Sequence, residues 1–166
     1  LSRAAEENLD FVILAGDTVY ADGSRTLLDY QSEWEYAFSS KEVRDLSAST
    51  SLIATWDDHE VDNDWSWDNE LMATLFPLAL EAFRQALPWR EGPGESTLWR
   101  SIKWGRTIEV FMLDVRSERR NGNYISQQQM DWLNQSLLTS DARFKLVLTS
   151  VPMTDFTDVI GNVDEI

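Results

Sequence analysis

Short apolar runs alternate along the chain with longer segments in which apolar residues recur at helical spacing. The apolar runs predict strands at 10–15, 51–56, 98–104, 107–114 and 144–150. Runs that are apolar throughout and bounded by turn residues are typical of strands buried in a parallel or mixed sheet. The third and fourth runs are separated by Gly105-Arg106, which predicts a β-hairpin.

The segments between these runs predict helices at 1–10, 26–38, 41–48, 69–87 and 126–138. Pro77 lies inside the fourth of them, so we expect a kink or a break there, because proline removes a helical hydrogen bond. Ser126 is placed to cap the last helix, in which Leu133 and Leu137 share one face. Strands that alternate with helices, with one hairpin inserted, indicate an α/β fold with a mixed sheet in a single domain, 1–166.

The charge and the residue composition narrow the class of function. The 166 residues include 14 Lys+Arg and 29 Asp+Glu, a formal net charge of −15. This balance argues against a general nucleic-acid binder and against docking on anionic lipid, and it suits cation binding. The chain has no cysteine, which excludes disulfides, thiolate zinc sites and cysteine nucleophiles within it.

Three of the predicted strands end in acids: Asp17 after the first, Asp57-Asp58 after the second and Asp114 after the fourth. Ligands of open α/β sheets bind outside the carboxyl ends of strands. Carboxylates that converge there repel each other, so a bound cation is the usual reason for such an arrangement. The alternative is that each acid simply caps the helix that follows it.

The first acidic segment, 16–23, combines Gly16, Asp17 and Tyr20. Glycine lets the backbone pass close to a ligand, and the Asp17 carboxylate is a hard oxygen donor. The phenol of Tyr20 is a second hard donor, of a kind that suits Fe(III). The alternative is that Tyr20 is half-buried packing and that Asp22-Gly23 only makes a turn.

The second acidic segment holds seven acids between positions 57 and 70, together with His59, the only histidine of the chain. An EF-hand loop starting at Asp58 would need Gly and Glu at its sixth and twelfth positions, which are Asn63 and Asn69 here, so we reject that motif. Because His59 lies between carboxylates, we expect a raised pKa and a role as proton donor or oxyanion partner.

These segments resemble a known family. Gly16-Asp-Thr-Val-Tyr20-Ala-Asp22 is similar to a GDxxY block, Trp56-Asp-Asp-His-Glu-Val-Asp-Asn63 to a WDDHE block, and Leu113-Asp-Val-Arg-Ser117 to an LDxR block. The segments 128–133 and 145–151 fit the same order. Together they resemble the PhoD-like (alkaline phosphatase D) family of metallophosphoesterases, which is related to purple acid phosphatases. The resemblance covers about residues 10–153.

The resemblance implies an αββα sandwich with a mixed sheet, incomplete at both ends, and metal-dependent hydrolysis of phosphomonoesters or phosphodiesters. It implies that Asp17 bridges two metal ions and that Tyr20 binds the trivalent iron site. It also implies that Asp58 binds the second metal ion, Ca(II) or another divalent ion, and that His59 lies beside the leaving-group oxygen. Arg116 is expected either to contact the phosphate or to pair with Asp114. The tryptophans are expected to lie mostly in the core, with the alternative that Trp65 and Trp67 line the rim of the pocket.

The family's site also uses an Asp or Cys ligand from an earlier strand and histidines from later blocks, which this chain lacks. We therefore expect the chain to be an internal piece of a longer enzyme that binds metal weakly and has little activity by itself. Resemblance to the family implies an extracytoplasmic location, periplasmic or secreted. The competing interpretation is a non-catalytic cation-binding or interaction module that uses the acidic segment 57–70 as a solvated surface.

Overall fold

The computed structural model describes residues 2–88, 90, 92–93 and 98–153. Helices and strands alternate along it, as the apolar pattern predicts. The helices are α1 (Ser2–Glu6), α2 (Leu27–Ala37), α3 (Lys41–Ser49), α4 (Met72–Ala86) and α5 (Gln127–Thr139). The strands are β1 (Phe11–Leu14), β2 (Ser51–Ala54), β3 (Arg100–Trp104), β4 (Ile108–Met112) and β5 (Phe144–Leu148).

The described strands form two small sheets. Strands β1 and β2 pair in parallel, with Phe11 opposite Ser51. Strands β3 and β4 form the predicted antiparallel hairpin, and β5 pairs in parallel with β4, so the second sheet has the order β3-β4-β5. The prediction of a mixed sheet is confirmed.

The two sheets pack face to face, with helices on both outer sides. Val110 and Met112 of β4 share a buried cluster with Ile53 of β2. Phe111 points to the opposite face of β4 and packs with Leu133 of α5, because successive side chains of a strand alternate between faces. The outer face of the β1-β2 sheet is covered by a larger apolar cluster from α2, α4 and the loop after β2. The αββα arrangement is therefore confirmed.

The helix ends follow the expected capping chemistry in two of the longer helices. Thr26 and Asp29 form a capping box at the start of α2, and the side chain of Ser126 accepts a hydrogen bond from Gln129 N at the start of α5. The expected break at Pro77 is not observed, since α4 runs from Met72 to Ala86 as one helix. Burial of one face of α4, including Leu75 and Phe83, holds the helix together through the proline.

Among the described residues, no helix is long and apolar enough to cross a membrane.

Candidate metal centre

The turn after β1 brings the first acidic segment against the second. Gly16 has φ +114° and Asp17 has φ +52°, both in the left-handed half of conformational space. A Cβ atom on Gly16 would lie 2.7 Å from Asp57 Cβ and 2.8 Å from Asp57 N. Only glycine fits this contact, so the sequence places a glycine where the two loops touch. We expected Gly16 to let the backbone pass close to a ligand. In the structure, Gly16 passes close to another loop of the protein, at Asp57.

Three candidate residues converge beside this turn. Asp17, Asp58 and His59 each offer one ligand atom, and these atoms lie within 4.8 Å of one another. The pKa of the Asp17 carboxyl is raised, by burial and by the negative charges of Asp57 and Asp58. A cation bound here would relieve that repulsion, and two carboxylates with an imidazole are a donor set that suits hard or borderline metal ions.

His59 is held from one side by a carboxylate and lies beside an aromatic ring. Its Nδ1 lies 2.7 Å from Oδ2 of Asp22. Burial opposes the charged imidazolium, but the hydrogen bond to Asp22 and the surrounding carboxylates outweigh it and raise the pKa of His59, as expected. The ring of Tyr20 lies 4.2 Å from the imidazole, between centroids, and Tyr20 is 61% exposed. The interpretation of Tyr20 as half-buried packing is therefore wrong, and its role as a metal ligand stays a prediction.

The guanidinium of Arg116 binds carboxylates of the second acidic segment, 57–70. Its Nε donates to Asp57 Oδ1 at 2.6 Å, and its Nη1 donates to Asp64 Oδ1 at 3.3 Å. Its Nη2 lies 3.4 Å from Asp58 Oδ1. The expected pair of Arg116 with Asp114 is made by the backbone, since Arg116 N donates to Asp114 Oδ1 at 3.2 Å, while the guanidinium binds both oxygens of the buried Asp57 carboxylate. Contact of Arg116 with phosphate stays a prediction.

Asp114 does not join the other acids. It is fully buried, and its Oδ1 accepts hydrogen bonds from the backbone N–H groups of Arg116 and Ser117 and from Nε1 of Trp56. Burial raises the pKa of its carboxyl. Gln129 of α5 fixes the same residue by accepting from Asp114 N at 2.8 Å and donating to Asp114 O at 3.0 Å. The expected convergence therefore holds for two strands and not for the third.

Trp65 and Trp67, the two tryptophans of the second acidic segment, pack against other residues of the protein. Trp65 is 2% exposed and packs against Trp56 and Phe76. Trp67 is partly buried, and its Nε1 donates to Ser117 O at 2.6 Å. The expectation of Trp65 at a pocket rim is therefore wrong, because its ring completes the core under the loop.

Asp17 and Asp58 do not cap helices. Thr26 caps α2, and α4 begins after Leu71 without a side-chain cap. Asp58 Oδ2 instead accepts the N–H of Asp64 within its own loop. The alternative in which all three strand-end acids are helix caps is thus contradicted for both of these residues.

Glu60 is a structural residue of the site that the sequence reasoning missed. Its side chain is fully buried, and its two oxygens accept from Thr18 N at 2.6 Å and Asp57 N at 2.9 Å. Burial raises the pKa of Glu60 to about 7, although these two hydrogen bonds pull it downward. In the sequence Glu60 is one of seven acids in a polar run, and no periodicity marks it as buried.

In this α/β sandwich, two acids and a histidine converge at the carboxyl ends of β1 and β2. This arrangement makes the chain a candidate for a metal-dependent enzyme. A family model described as PhoD-like phosphatase matches residues 1–165. The chain therefore belongs to the PhoD-like phosphatase family, a family of hydrolases.

Two relatives support this assignment. The chain is 24% identical, over an alignment of 195 residues, to alkaline phosphatase D of Bacillus subtilis (strain 168), covering 89% of this chain and 33% of that protein. A solved structure described as the structure of PhoD shares the fold with a TM-score of 0.76 and 23% identity, over 88% of this chain and 37% of that chain. The chain thus spans about a third of the length of these relatives.

Proposed function

We propose that the protein to which this chain belongs hydrolyses phosphate esters, monoesters or diesters, with water at a dinuclear metal centre. This chain contributes Asp17, Tyr20 and Asp58 to that centre, and His59 and Asp58 to catalysis. The observation that carries the proposal is the convergence of Asp17, Asp58 and His59, whose ligand atoms lie within 4.8 Å. Membership of the PhoD-like phosphatase family supplies the class of substrate.

The donor set suits the metals that the resemblance implies. The carboxylates of Asp17 and Asp58 are hard donors for Fe(III) and for Ca(II) or another divalent ion, and the phenol of Tyr20 suits Fe(III). Such ions, when bound, polarise the phosphoryl group and lower the pKa of a bound water. The family resemblance makes Asp17 the carboxylate that would be shared between two ions, and its ligand atom lies within 4.8 Å of those of Asp58 and His59.

His59 has the clearest task of its own. Asp22 engages Nδ1, so Nε2 is the nitrogen free to meet a ligand or substrate. The hydrogen bond to the Asp22 carboxylate favours the protonated imidazole. A protonated Nε2 can donate to the leaving-group oxygen and so stabilise the negative charge that develops when the ester bond breaks. Asp22 thereby sets both the orientation and the charge of this proton donor.

The metal site is tested with Mn²⁺ and the 166-residue chain, by following the paramagnetic broadening of backbone amide signals around Asp17 and His59. We expect Asp17→Asn and Asp58→Asn each to lower the Mn²⁺ affinity at least about tenfold, since each removes a charged ligand. Asp68→Asn, in the same acidic run but outside the cluster, is the matched control and should leave it unchanged. If Asp68→Asn lowered the Mn²⁺ affinity while Asp17→Asn and Asp58→Asn left it unchanged, the result would favour the non-catalytic acidic module.

Hydrolysis itself is tested in the longer protein with the complete ligand set. We expect Asp17→Asn to abolish hydrolysis of an aryl phosphate monoester or diester. His59→Asn is expected to slow esters with poor leaving groups more than esters with good ones, because only poor leaving groups need a proton. Full activity of Asp17→Asn would refute the proposal.

A further inference from the structure

The two ligand-bearing loops come from different strands, and one side chain connects them at their ligands. Glu60 Oε1 accepts from the N–H of Thr18, the residue after Asp17. Glu60 Oε2 accepts from the N–H of Asp57, the residue before Asp58. One carboxylate therefore fixes the backbone next to each candidate ligand, across 42 residues of sequence in the first bond.

The chemistry of this position requires a carboxylate. Both partners of Glu60 are backbone donors, and the Asp57 N–H lies with the fully buried Glu60 side chain, where water cannot replace a lost acceptor. A glutamine in the same place has one accepting oxygen, and its amide NH₂ would face the second N–H. Burying a carboxylate is costly, and charge-assisted bonds to backbone N–H groups are the kind of contact that offsets the cost.

Contacts around Glu60 show that the two loops are joined at a definite register. Ala21 N donates to His59 O at 2.8 Å, and Gly23 N donates to Asp62 Oδ1 at 3.0 Å. On the other side of Glu60, Gly16 lies directly against Asp57. Without Glu60 the loops would keep these flanking contacts, but the backbone beside Asp17 and Asp58 would lose its shared anchor.

We propose that Glu60 is a positioning residue, whose carboxylate sets the spacing of Asp17 and Asp58 by clamping the amides of Thr18 and Asp57. The inference rests on the proposed function, since it gives the clamp the task of preparing a cation site. Glu60 itself binds no cation and contacts no substrate. Its effect reaches the metal through the backbone of the two neighbouring residues.

The test compares Glu60→Gln with the wild-type 166-residue chain in the same Mn²⁺ titration, followed at backbone amides at about pH 8, above the Glu60 pKa of about 7, so that the wild-type side chain is a carboxylate. We expect Glu60→Gln to lower the Mn²⁺ affinity at the Asp17 cluster about tenfold and to shift the amide signal of Thr18 or Asp57. Glu109→Gln is the matched control: Glu109 is also buried and accepts from two side chains, Ser101 and Ser140, but it lies on β4. It should lower stability without changing the Mn²⁺ affinity.

Unchanged Mn²⁺ affinity and unchanged Thr18 and Asp57 signals in a folded Glu60→Gln variant would overturn the inference. If the variant does not fold, hydrogen exchange of the wild-type chain decides: we expect the Thr18 and Asp57 amides to exchange at least about 100-fold more slowly than exposed loop amides. Exchange at the rate of exposed loops would overturn the clamp. If the longer protein with the complete ligand set does not bind Mn²⁺ at Asp17, the proposed metal centre fails, and the exchange measurement on the wild-type chain still decides the clamp.

Discussion

The guanidinium of Arg116 makes two hydrogen bonds to the carboxylate of Asp57, with Nε 2.6 Å from Oδ1 and Nη2 3.3 Å from Oδ2. The two side chains are only 8% and 11% exposed. Asp57 follows β2 and Arg116 follows β4, so this ion pair joins the two sheets of the sandwich at their carboxyl ends. Ser150, which follows β5, donates to the same carboxylate at 2.9 Å. Asp57 is thus the point at which three strand ends are tied together.

Replacing Arg116 by lysine should weaken this junction. Lysine keeps the charge, but its single ammonium cannot make both contacts of the planar fork. We expect Arg116→Lys to lower the free energy of unfolding by about 2 kcal/mol, because part of a buried carboxylate loses its partner. Urea unfolding followed by tryptophan fluorescence measures this. The exposed Arg106→Lys is the control, and an equal small effect of both substitutions would contradict the prediction.

Gly16 should be intolerant of a side chain for two separable reasons. Gly16→Ala combines an unfavourable φ of +114° with a Cβ atom 2.7 Å from Asp57 Cβ. Gly23→Ala has positive φ as well, +78°, but no atom within 4 Å of the added Cβ. We expect about 1 kcal/mol of destabilisation for Gly23→Ala from strain and about 3 kcal/mol or more for Gly16→Ala from strain and overlap. Thermal unfolding of the two variants, side by side, tests the difference, and equal losses would show that the loops separate freely.

The elements were predictable because each depends on a local pattern. Apolar runs gave the strands, and Thr26 and Ser126 match the helix starts that are observed. The site was predictable only in part. Asp17 and Asp58 follow adjacent parallel strands, so their proximity follows from the fold. The pairing of Arg116 with Asp57 spans 59 residues and depends on how two sheets pack, which no local pattern encodes. The same holds for the burial of Glu60.

The stability of the protein should fall above pH 10 through Tyr30. Burial, followed by the charge of Asp62, raises the pKa of the Tyr30 phenol from 10.0 to about 12. The unfolded chain therefore loses this proton near pH 10 and the folded chain only near pH 12. The contribution of Tyr30 to the free energy of unfolding is complete below pH 10 and is lost as the pH rises to 12, a change of up to about 3 kcal/mol.

Tyr30→Phe tests this assignment by urea unfolding between pH 9 and 12. Tyr30 OH donates to Val61 O at 2.9 Å, so the variant should lose about 1 kcal/mol at pH 9 but fall less steeply at higher pH. Tyr36→Phe, at a side chain 78% exposed, should follow the wild-type slope. Parallel curves for all three proteins would show that Tyr30 is not the titrating group.

Gln129 should be the residue of α5 that is least tolerant of charge. It is fully buried, and its Nε2 donates to Asp114 O at 3.0 Å and to Glu118 Oε2 at 2.7 Å. Gln129→Glu replaces this donor with an oxygen that faces a carbonyl and a carboxylate. We expect it to lower the free energy of unfolding by about 3–5 kcal/mol, because it buries an unpaired charge next to a like charge.

The neighbouring Gln128→Glu makes the same chemical change on the exposed side of the helix and should alter stability by less than about 0.5 kcal/mol. Because α5 holds the backbone of Asp114 through Gln129, the buried variant should also broaden the amide signals of Asp114 and Ser117. Lowering the pH protonates the new carboxyl and should recover part of the lost stability. A Gln129→Glu variant as stable as Gln128→Glu would show that the junction between α5 and the loop after β4 carries no strong hydrogen-bond requirement.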